Sequence, residues 1–157
     1  MSQNQARWHF WIMNPRLTFE PISCTSELES LLPLARGEGF RFLDRLKVDW
    51  ESGALRFEGE GEALLGVSCG GRMIAVGGVR QQSEGVGRVS RVYVHPDWRR
   101  SGIGSRLLAQ LISHSRASFQ ELLLRTDTAE GASFYESLGF ERLMEQEEDL
   151  ATHRMKL

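Results

Sequence analysis

The stretch that decides the fold is Val92-Tyr93-Val94-His95-Pro96-Asp97-Trp98-Arg99-Arg100-Ser101-Gly102-Ile103-Gly104-Ser105. Its first three residues are β-branched or aromatic, which is typical of a strand, and Pro96 is expected to end that strand. From Gly102 onward, apolar residues recur with a helical period, at positions 103, 107, 108, 111 and 112. The stretch therefore predicts a strand that leads through a glycine-containing loop into an amphipathic helix.

This junction has the properties of an anion-binding site. The first turn of a helix leaves backbone N–H groups unpaired, and the helix dipole adds about half a positive charge there. Gly102 and Gly104 carry no side chain, so an anion could approach the backbone closely. Arg99 and Arg100 add positive charge. The junction therefore predicts a phosphate or pyrophosphate ligand.

The two most common phosphate-binding motifs do not fit this junction. A P-loop requires a Lys-Ser/Thr pair after the glycines, and none follows here. A dinucleotide-binding fingerprint requires a third glycine where Leu107 stands. A helix that merely begins at Gly102, and a nucleotide-binding α/β domain of another kind, remain as alternatives.

The rest of the chain predicts a mixed α/β fold. Alternating strand and helix patterns with short connections are typical of a sheet with helices on its faces. The predicted strands are residues 17–22, 63–68, 73–79, 89–94, 122–124, 140–144 and 152–157, and the predicted helices begin at Ser26, Phe40, Gly102 and Glu130. Ser26 to Glu29 has the spacing of a capping box, and residues 84–87 are interpreted as a turn.

Composition narrows the class of protein. A chain of 157 residues predicts one domain, and a formal net charge of -2 argues against a nucleic-acid-coating protein. Cys24 and Cys69 are interpreted as two free, buried thiols, and the four histidines show no metal-ligand spacing. No apolar run approaches 18 residues, so we expect no membrane contact and a cytoplasmic location. Residues 1–14 are interpreted as an N-terminal extension and residues 15–157 as the domain.

Two motifs resemble those of the GNAT superfamily of acyl-CoA-dependent N-acyltransferases. Arg99-Arg100-Ser101-Gly102-Ile103-Gly104 matches its Q/R-x-x-G-x-G/A pyrophosphate loop, and Ala132-Ser133-Phe134-Tyr135-Glu136-Ser137-Leu138-Gly139-Phe140 is similar to its F/Y-Y-x-x-x-G-F signature. The resemblance implies a single GNAT-like domain of the α/β (α+β) class. Its central sheet would be mixed, mostly antiparallel and splayed in the middle, with about four flanking helices.

The resemblance also implies acetyl-CoA as the acyl donor and no metal. Backbone groups of the strand would hold the pantetheine arm, and amides of the loop would hold the pyrophosphate. The implied cofactor-binding residues are Val92, Tyr93, Val94, Arg99, Arg100, Ser101, Gly102, Ile103, Gly104, Ser105, Thr128 and Tyr135. Thr128 stands where the family often has an asparagine.

Two residues are implied for catalysis. Tyr135 matches the tyrosine that the family places beside the thioester sulfur; packing as a core aromatic with Phe134 and Phe140 is its alternative role. The family often has a glutamate base early in the strand, but that position is Arg88 here. Glu84 in the preceding turn is a substitute candidate, although a solvated turn residue is its more common role.

The implied activity is direct transfer of an acetyl group to the primary amine of a small molecule or peptide. A non-catalytic acyl-CoA sensor or partner-docking module is the alternative. A cation at Arg88 would disfavour polycationic acceptors and suit an amine that is anionic or of low pKa. Acceptor-side candidates are Glu38, Phe40, Arg41 and Asp44, for which a solvated helix face is an equal interpretation. The acceptor, the acyl-chain length and the oligomeric state, a homodimer included, stay open.

Overall fold

The computed structural model describes residues 16–144 and 151–157. The predicted extension, residues 1–14, lies outside this range. The strands are β1 (Leu17–Pro21), β2 (Ala63–Cys69), β3 (Arg72–Ser83), β4 (Val86–Val94), β5 (Glu121–Leu124), β6 (Glu141–Arg142) and β7 (His153–Lys156). The α-helices are α1 (Leu32–Gly37), α2 (Phe42–Ser52), α3 (Ile103–Ser115) and α4 (Ala129–Ser137), and 3-10 helices span Thr25–Leu28 and Pro96–Trp98.

The strands form one seven-stranded sheet in the order β1-β2-β3-β4-β5-β7-β6. β1 pairs antiparallel with β2, and β7 pairs antiparallel with both β5 and β6. β4 and β5 pair in parallel, with Val86 opposite Glu121 and Arg88 opposite Leu123. The predicted class, a mixed and mostly antiparallel sheet with four helices, is confirmed.

The capping-box prediction is wrong. Thr25–Leu28 is a single 3-10 turn that no side chain caps, and the Ser26 hydroxyl contacts the thiol of Cys24 instead. α1 begins only at Leu32 because Pro33, which has no N–H and clashes with a preceding helical turn, is tolerated only at a helix start.

The turn predicted at residues 84–87 is shorter in the structure. Only Glu84 and Gly85 form it, because β3 continues to Ser83 and β4 begins at Val86. Gly87 belongs to β4, where a Cβ would come within 2.6 Å of the Phe119 ring. This glycine therefore serves close packing in the strand rather than a turn.

The cysteine prediction is half right. Neither Cys24 nor Cys69 forms a disulfide, as expected, but Cys24 is exposed and Cys69 is only partly buried. Cys24 lies in the polar segment after β1, which carries it out of the core.

Contacts divide the chain into two compact units, and the chain passes between them after Arg56 and within β2, β3, β4 and α3. The first unit contains the described residues up to Arg56, Leu64–Gly77 and Arg91–Leu108; the second contains Phe57–Ala63, Gly78–Ser90 and the described residues from Ala109 onward. The first unit is built on the fully buried side chains of Leu28, Leu31, Leu32, Leu43, Leu46, Ile74, Leu107 and Leu108. The second is built on Leu111, Leu122, Leu124 and His153.

The two outer strands of the sheet are short. β1 has five residues and ends at Pro21, which has no N–H to offer a further strand. β6 has two residues, Glu141 and Arg142, which are both charged and exposed.

Candidate active site

The predicted strand, loop and helix are present, and their central part, Arg91–Leu108, belongs to the first unit. β4 ends at Val94, a 3-10 helix follows at Pro96–Trp98, and α3 begins at Ile103. Within the connection, the Ser101 hydroxyl donates to the carbonyl of Trp98. The connection is therefore an ordered turn.

Two residues of this loop have left-handed backbone conformations. The φ angle is 60° at Arg100 and 79° at Gly102. At Gly102 a glycine avoids the strain that an L side chain would bring, and a Cβ there would meet no atom within 4 Å. The space over this position is open to a ligand.

The start of α3 offers donors to that space. The first helical hydrogen bond runs from the N–H of Arg106 to the carbonyl of Gly102. The amides of Ile103, Gly104 and Ser105 come before this bond and belong to the turn whose N–H groups a helix cannot pair internally. An open glycine beside such amides fits a diphosphate group.

Arg99 is held by Glu38, which caps the C-terminus of α1. Its two terminal nitrogens each donate to one carboxylate oxygen of Glu38, both at 2.7 Å, and its Nε donates to the carbonyl of Val94 at 3.1 Å. The Tyr93 hydroxyl donates to the same carboxylate, and the guanidinium lies 5.4 Å from the centre of the Tyr93 ring. The structure thus brings Tyr93, Val94 and Arg99 together around a glutamate.

These contacts shift two pKa values in opposite directions. The hydrogen bonds from Arg99 hold the pKa of Glu38 below its ordinary value, with a smaller contribution from Tyr93. Burial, and then the hydrogen bond to Glu38, raise the pKa of the Tyr93 hydroxyl. Glu38 is therefore a carboxylate and Tyr93 a neutral donor at neutral pH.

Of the acceptor-side candidates, Phe40 joins an aromatic group in which three rings touch. Phe40, Phe42 and Tyr93 have ring centres 5.5 to 6.3 Å apart. Asp44 is instead bound by Arg36, whose Nε lies 2.9 and 3.0 Å from its two oxygens, so this pair links α1 to α2. Arg41 lies 3.9 Å from Asp44 and is largely exposed.

Arg91 has a left-handed backbone, with a φ of 60°, inside β4. Such a conformation costs about 1–2 kcal/mol for a residue with a side chain. Its side chain forms an ion pair with Asp49 at 3.1 Å and donates to the carbonyl of Phe42 at 3.4 Å. These contacts with α2 stabilise Arg91 in this conformation, just before Val92.

Tyr135 belongs to the second unit, on α4. Its ring packs edge-on against Phe134 and Phe140, with centres 5.0 and 5.7 Å away. Burial raises the pKa of its hydroxyl. Tyr135 therefore packs as an aromatic residue and also carries a hydroxyl that stays protonated at neutral pH.

Three other predicted residues also lie in the second unit. The Thr128 hydroxyl accepts a hydrogen bond from the N–H of Gly131 at 3.0 Å and so caps α4. Glu84 is exposed in the β3–β4 turn. Arg88 donates to the side chain of Gln82 at 3.0 Å. Thr128 therefore caps a helix, a structural role that the sequence analysis did not predict for it.

Within residues 16–144 and 151–157, no group of three or more His, Cys, Asp or Glu side chains could hold a metal ion. No helix in the described part of the chain has the length and apolar character needed to cross a membrane.

Sequence reasoning missed the role of Glu38 and the conformation of Arg91. Glu38 is 61 residues from Arg99, and no local pattern pairs them. One signal was available: Glu38 lies between Gly37 and Gly39, at the place where α1 ends. A lone carboxylate in such a turn is a reasonable partner for a loop arginine.

Comparison with known proteins assigns the family. The family model described as "Acetyltransferase (GNAT) domain" matches residues 60–142, which is more than half of the chain. The protein therefore belongs to the GNAT acetyltransferase family. A comparison with curated protein sequences found no match.

Solved structures share the fold. A protein from Exiguobacterium sp. 255-15, assigned as an acetyltransferase, is 26% identical with a TM-score of 0.77, over 89% of this chain and 93% of that one. Ard1 from Thermoplasma volcanium is 19% identical with a TM-score of 0.70, over 90% and 97%. The PaiA N-acetyltransferase from Thermoplasma acidophilum, in complex with coenzyme A, is 18% identical with a TM-score of 0.67, over 90% and 99%.

Proposed function

We propose that this protein transfers an acetyl group from acetyl-CoA to the primary amine of a small molecule or peptide. The observation that carries the proposal is the open, left-handed Gly102 at the start of α3, within a loop that matches the family motif at every fixed position. In this role, the amides from Arg100 to Ser105 bind the diphosphate of coenzyme A. Backbone groups of Val92 to Val94 orient the pantetheine arm.

Tyr135 is the proposed hydrogen-bond donor to the departing sulfur. Acetyl-CoA would supply the acetyl group as a thioester. After the amine attacks the carbonyl carbon, negative charge would develop on the sulfur as the C–S bond breaks. A donor that is already in place when charge develops lowers the barrier. Burial raises the pKa of the Tyr135 hydroxyl, so at neutral pH this group is a neutral hydrogen-bond donor.

The acceptor amine must be unprotonated to attack, and this requirement limits the class of acceptor. At pH 7 a lysine-like amine of pKa about 10.4 is only about 0.04% neutral, whereas an α-amine of pKa about 7.7 is roughly one-sixth neutral. Arg88 stands where relatives often have a base, and the carboxylate of Glu84 is exposed in a turn. An amine of low pKa, or one that also carries a carboxylate or phosphate, therefore suits this chain best, with Glu84 as a proposed base.

Binding of coenzyme A is the first test. A ligand at 100 times its Kd stabilises a folded protein by about 2.7 kcal/mol. We expect coenzyme A to raise the melting temperature, while ATP and NAD at equal concentration do not. Stabilisation by ATP or NAD alone would favour the nucleotide-binding alternative.

Turnover is the second part of that test. Thiol release from acetyl-CoA would be followed with amines of graded charge, from polyamines through amino acids to amino sugar phosphates. We expect anionic and low-pKa amines to react and polycations to be poor acceptors. Binding without thiol release across all classes would instead support an acyl-CoA sensor.

A further inference from the structure

Arg99 is the first residue of the loop motif, and its guanidinium group already forms an ion pair with a carboxylate of the same chain. Both terminal nitrogens bind the carboxylate of Glu38 in a forked arrangement, which is the strongest geometry for an arginine–carboxylate pair. The pair is neutral overall. Arg99 therefore adds little net positive charge to the loop, and that contribution falls to Arg100.

The ion pair between Arg99 and Glu38 also affects how the loop is attached to β4. With its terminal nitrogens held by Glu38, Arg99 directs its Nε to the carbonyl of Val94. This bond joins the start of the loop to the last residue of β4. Tyr93 adds a further bond from β4 to the same carboxylate.

We propose that Glu38 is a positioning residue for the coenzyme A loop, holding Arg99 so that this arginine fixes the loop to β4 instead of contacting the ligand. The inference rests on the proposed function, since it concerns how the loop binds coenzyme A. The inference also changes the role of Arg99: the sequence analysis predicted that Arg99 binds the cofactor, whereas here Arg99 fixes the loop to β4.

The substitution Glu38→Gln separates the two roles because they predict effects of opposite sign. If Arg99 positions the loop, replacing the carboxylate by an amide removes the negative charge and one of the two acceptor oxygens, which loosens the hold on Arg99 and weakens coenzyme A binding. Hydrogen bonds to charged groups are strong enough to make that change about tenfold or more in Kd. If Arg99 contacts the diphosphate, removal of its internal counter-ion leaves a free cation and tightens binding.

Asp44→Asn is the matched control. Asp44 also binds an arginine through two nitrogens, here the Nε and one terminal nitrogen of Arg36, and its side chain is 28% exposed against 29% for Glu38. The control removes one carboxylate of equal exposure from the same unit without touching the loop. We expect its Kd for coenzyme A to match that of the wild-type protein.

Arg99→Lys is a second variant that keeps the charge but loses the forked geometry. A positioning role predicts weaker binding in this variant too, whereas a direct charge contact predicts a Kd near the wild-type value. The Arg99→Lys measurement decides the question if Glu38→Gln does not fold. With a reactive acceptor, both variants should raise the KM for acetyl-CoA more than they lower kcat.

Titration calorimetry with coenzyme A measures these constants, and circular dichroism checks that each variant is folded. Failure of the wild-type protein to bind coenzyme A would overturn the proposed function and this inference together. Binding by the wild-type protein with equal or tighter binding by Glu38→Gln would overturn the positioning role alone.

Discussion

Tyr135 packs as an aromatic residue, and its hydroxyl is available for the proposed role beside the thioester sulfur. The ring packs against Phe134 and Phe140, and the hydroxyl is a protonated donor. A thiol resembling cysteine has a pKa of about 8.5 against about 10 for tyrosine, so full proton transfer is already uphill. Burial makes the transfer harder still. A hydrogen bond that strengthens as charge develops is therefore the role that fits the proposed chemistry.

Substitution of Tyr135 by Phe tests this role. The variant keeps the aromatic packing and loses only the hydroxyl, so we expect kcat to fall by about 100-fold, the low end of the effect of removing one hydrogen-bond donor to a developing negative charge. The Kd for coenzyme A and the urea midpoint should change little. Steady-state kinetics with a reactive acceptor checks the prediction, and an unchanged kcat would leave Tyr135 with its packing role alone.

At the scale of elements, the loop between β4 and α3 depends on Gly102. Replacing Gly102 by Ala places a Cβ in a left-handed backbone, at a cost of about 1–2 kcal/mol, and narrows the approach to the helix amides. We expect both a lower melting temperature and a weaker affinity for coenzyme A.

Gly71 offers a control for the backbone strain. Its φ is 80° against 79° at Gly102, and at both positions a Cβ would meet no atom within 4 Å. Gly71→Ala should lower the melting temperature by a similar amount and leave coenzyme A binding unchanged. Equal affinities in the two variants would show that the diphosphate does not bind over Gly102.

Elements with a strong local pattern could be predicted from sequence. The strand, loop and helix around Gly102 were predicted because period and glycine position are local properties. The helix expected from Ser26 was wrong because Pro33, and not the capping pattern, decides where a helix can begin. The bonds of Arg99 to Glu38, and of Arg91 to Asp49, could not be predicted because they join residues 61 and 42 positions apart.

At the scale of the whole molecule, protonation of Glu38 at acid pH is expected to lower the free energy of unfolding. Its pKa in the folded protein is lowered by Arg99, Tyr93 and the charge of His95. A carboxyl group with a lowered pKa stabilises the fold above its ordinary pKa. That contribution is lost as the pH falls through the lowered value, when the folded protein takes up the proton.

Urea unfolding between pH 3 and pH 7 measures this effect. The wild-type midpoint should fall toward pH 3, and the Glu38→Gln variant should show a smaller fall because it has no carboxylate to protonate at this position. Parallel pH curves for the two proteins would mean that the ion pair with Arg99 does not contribute to folding stability.

The outer strands of the sheet also bear on how the protein behaves at high concentration. A long, exposed edge can recruit other chains by main-chain pairing, which leads to aggregation. Here one edge strand stops at a residue without an amide hydrogen, and the other consists of two charged residues. Within the described part of the chain, these two features limit the main-chain groups that each edge offers to a further strand.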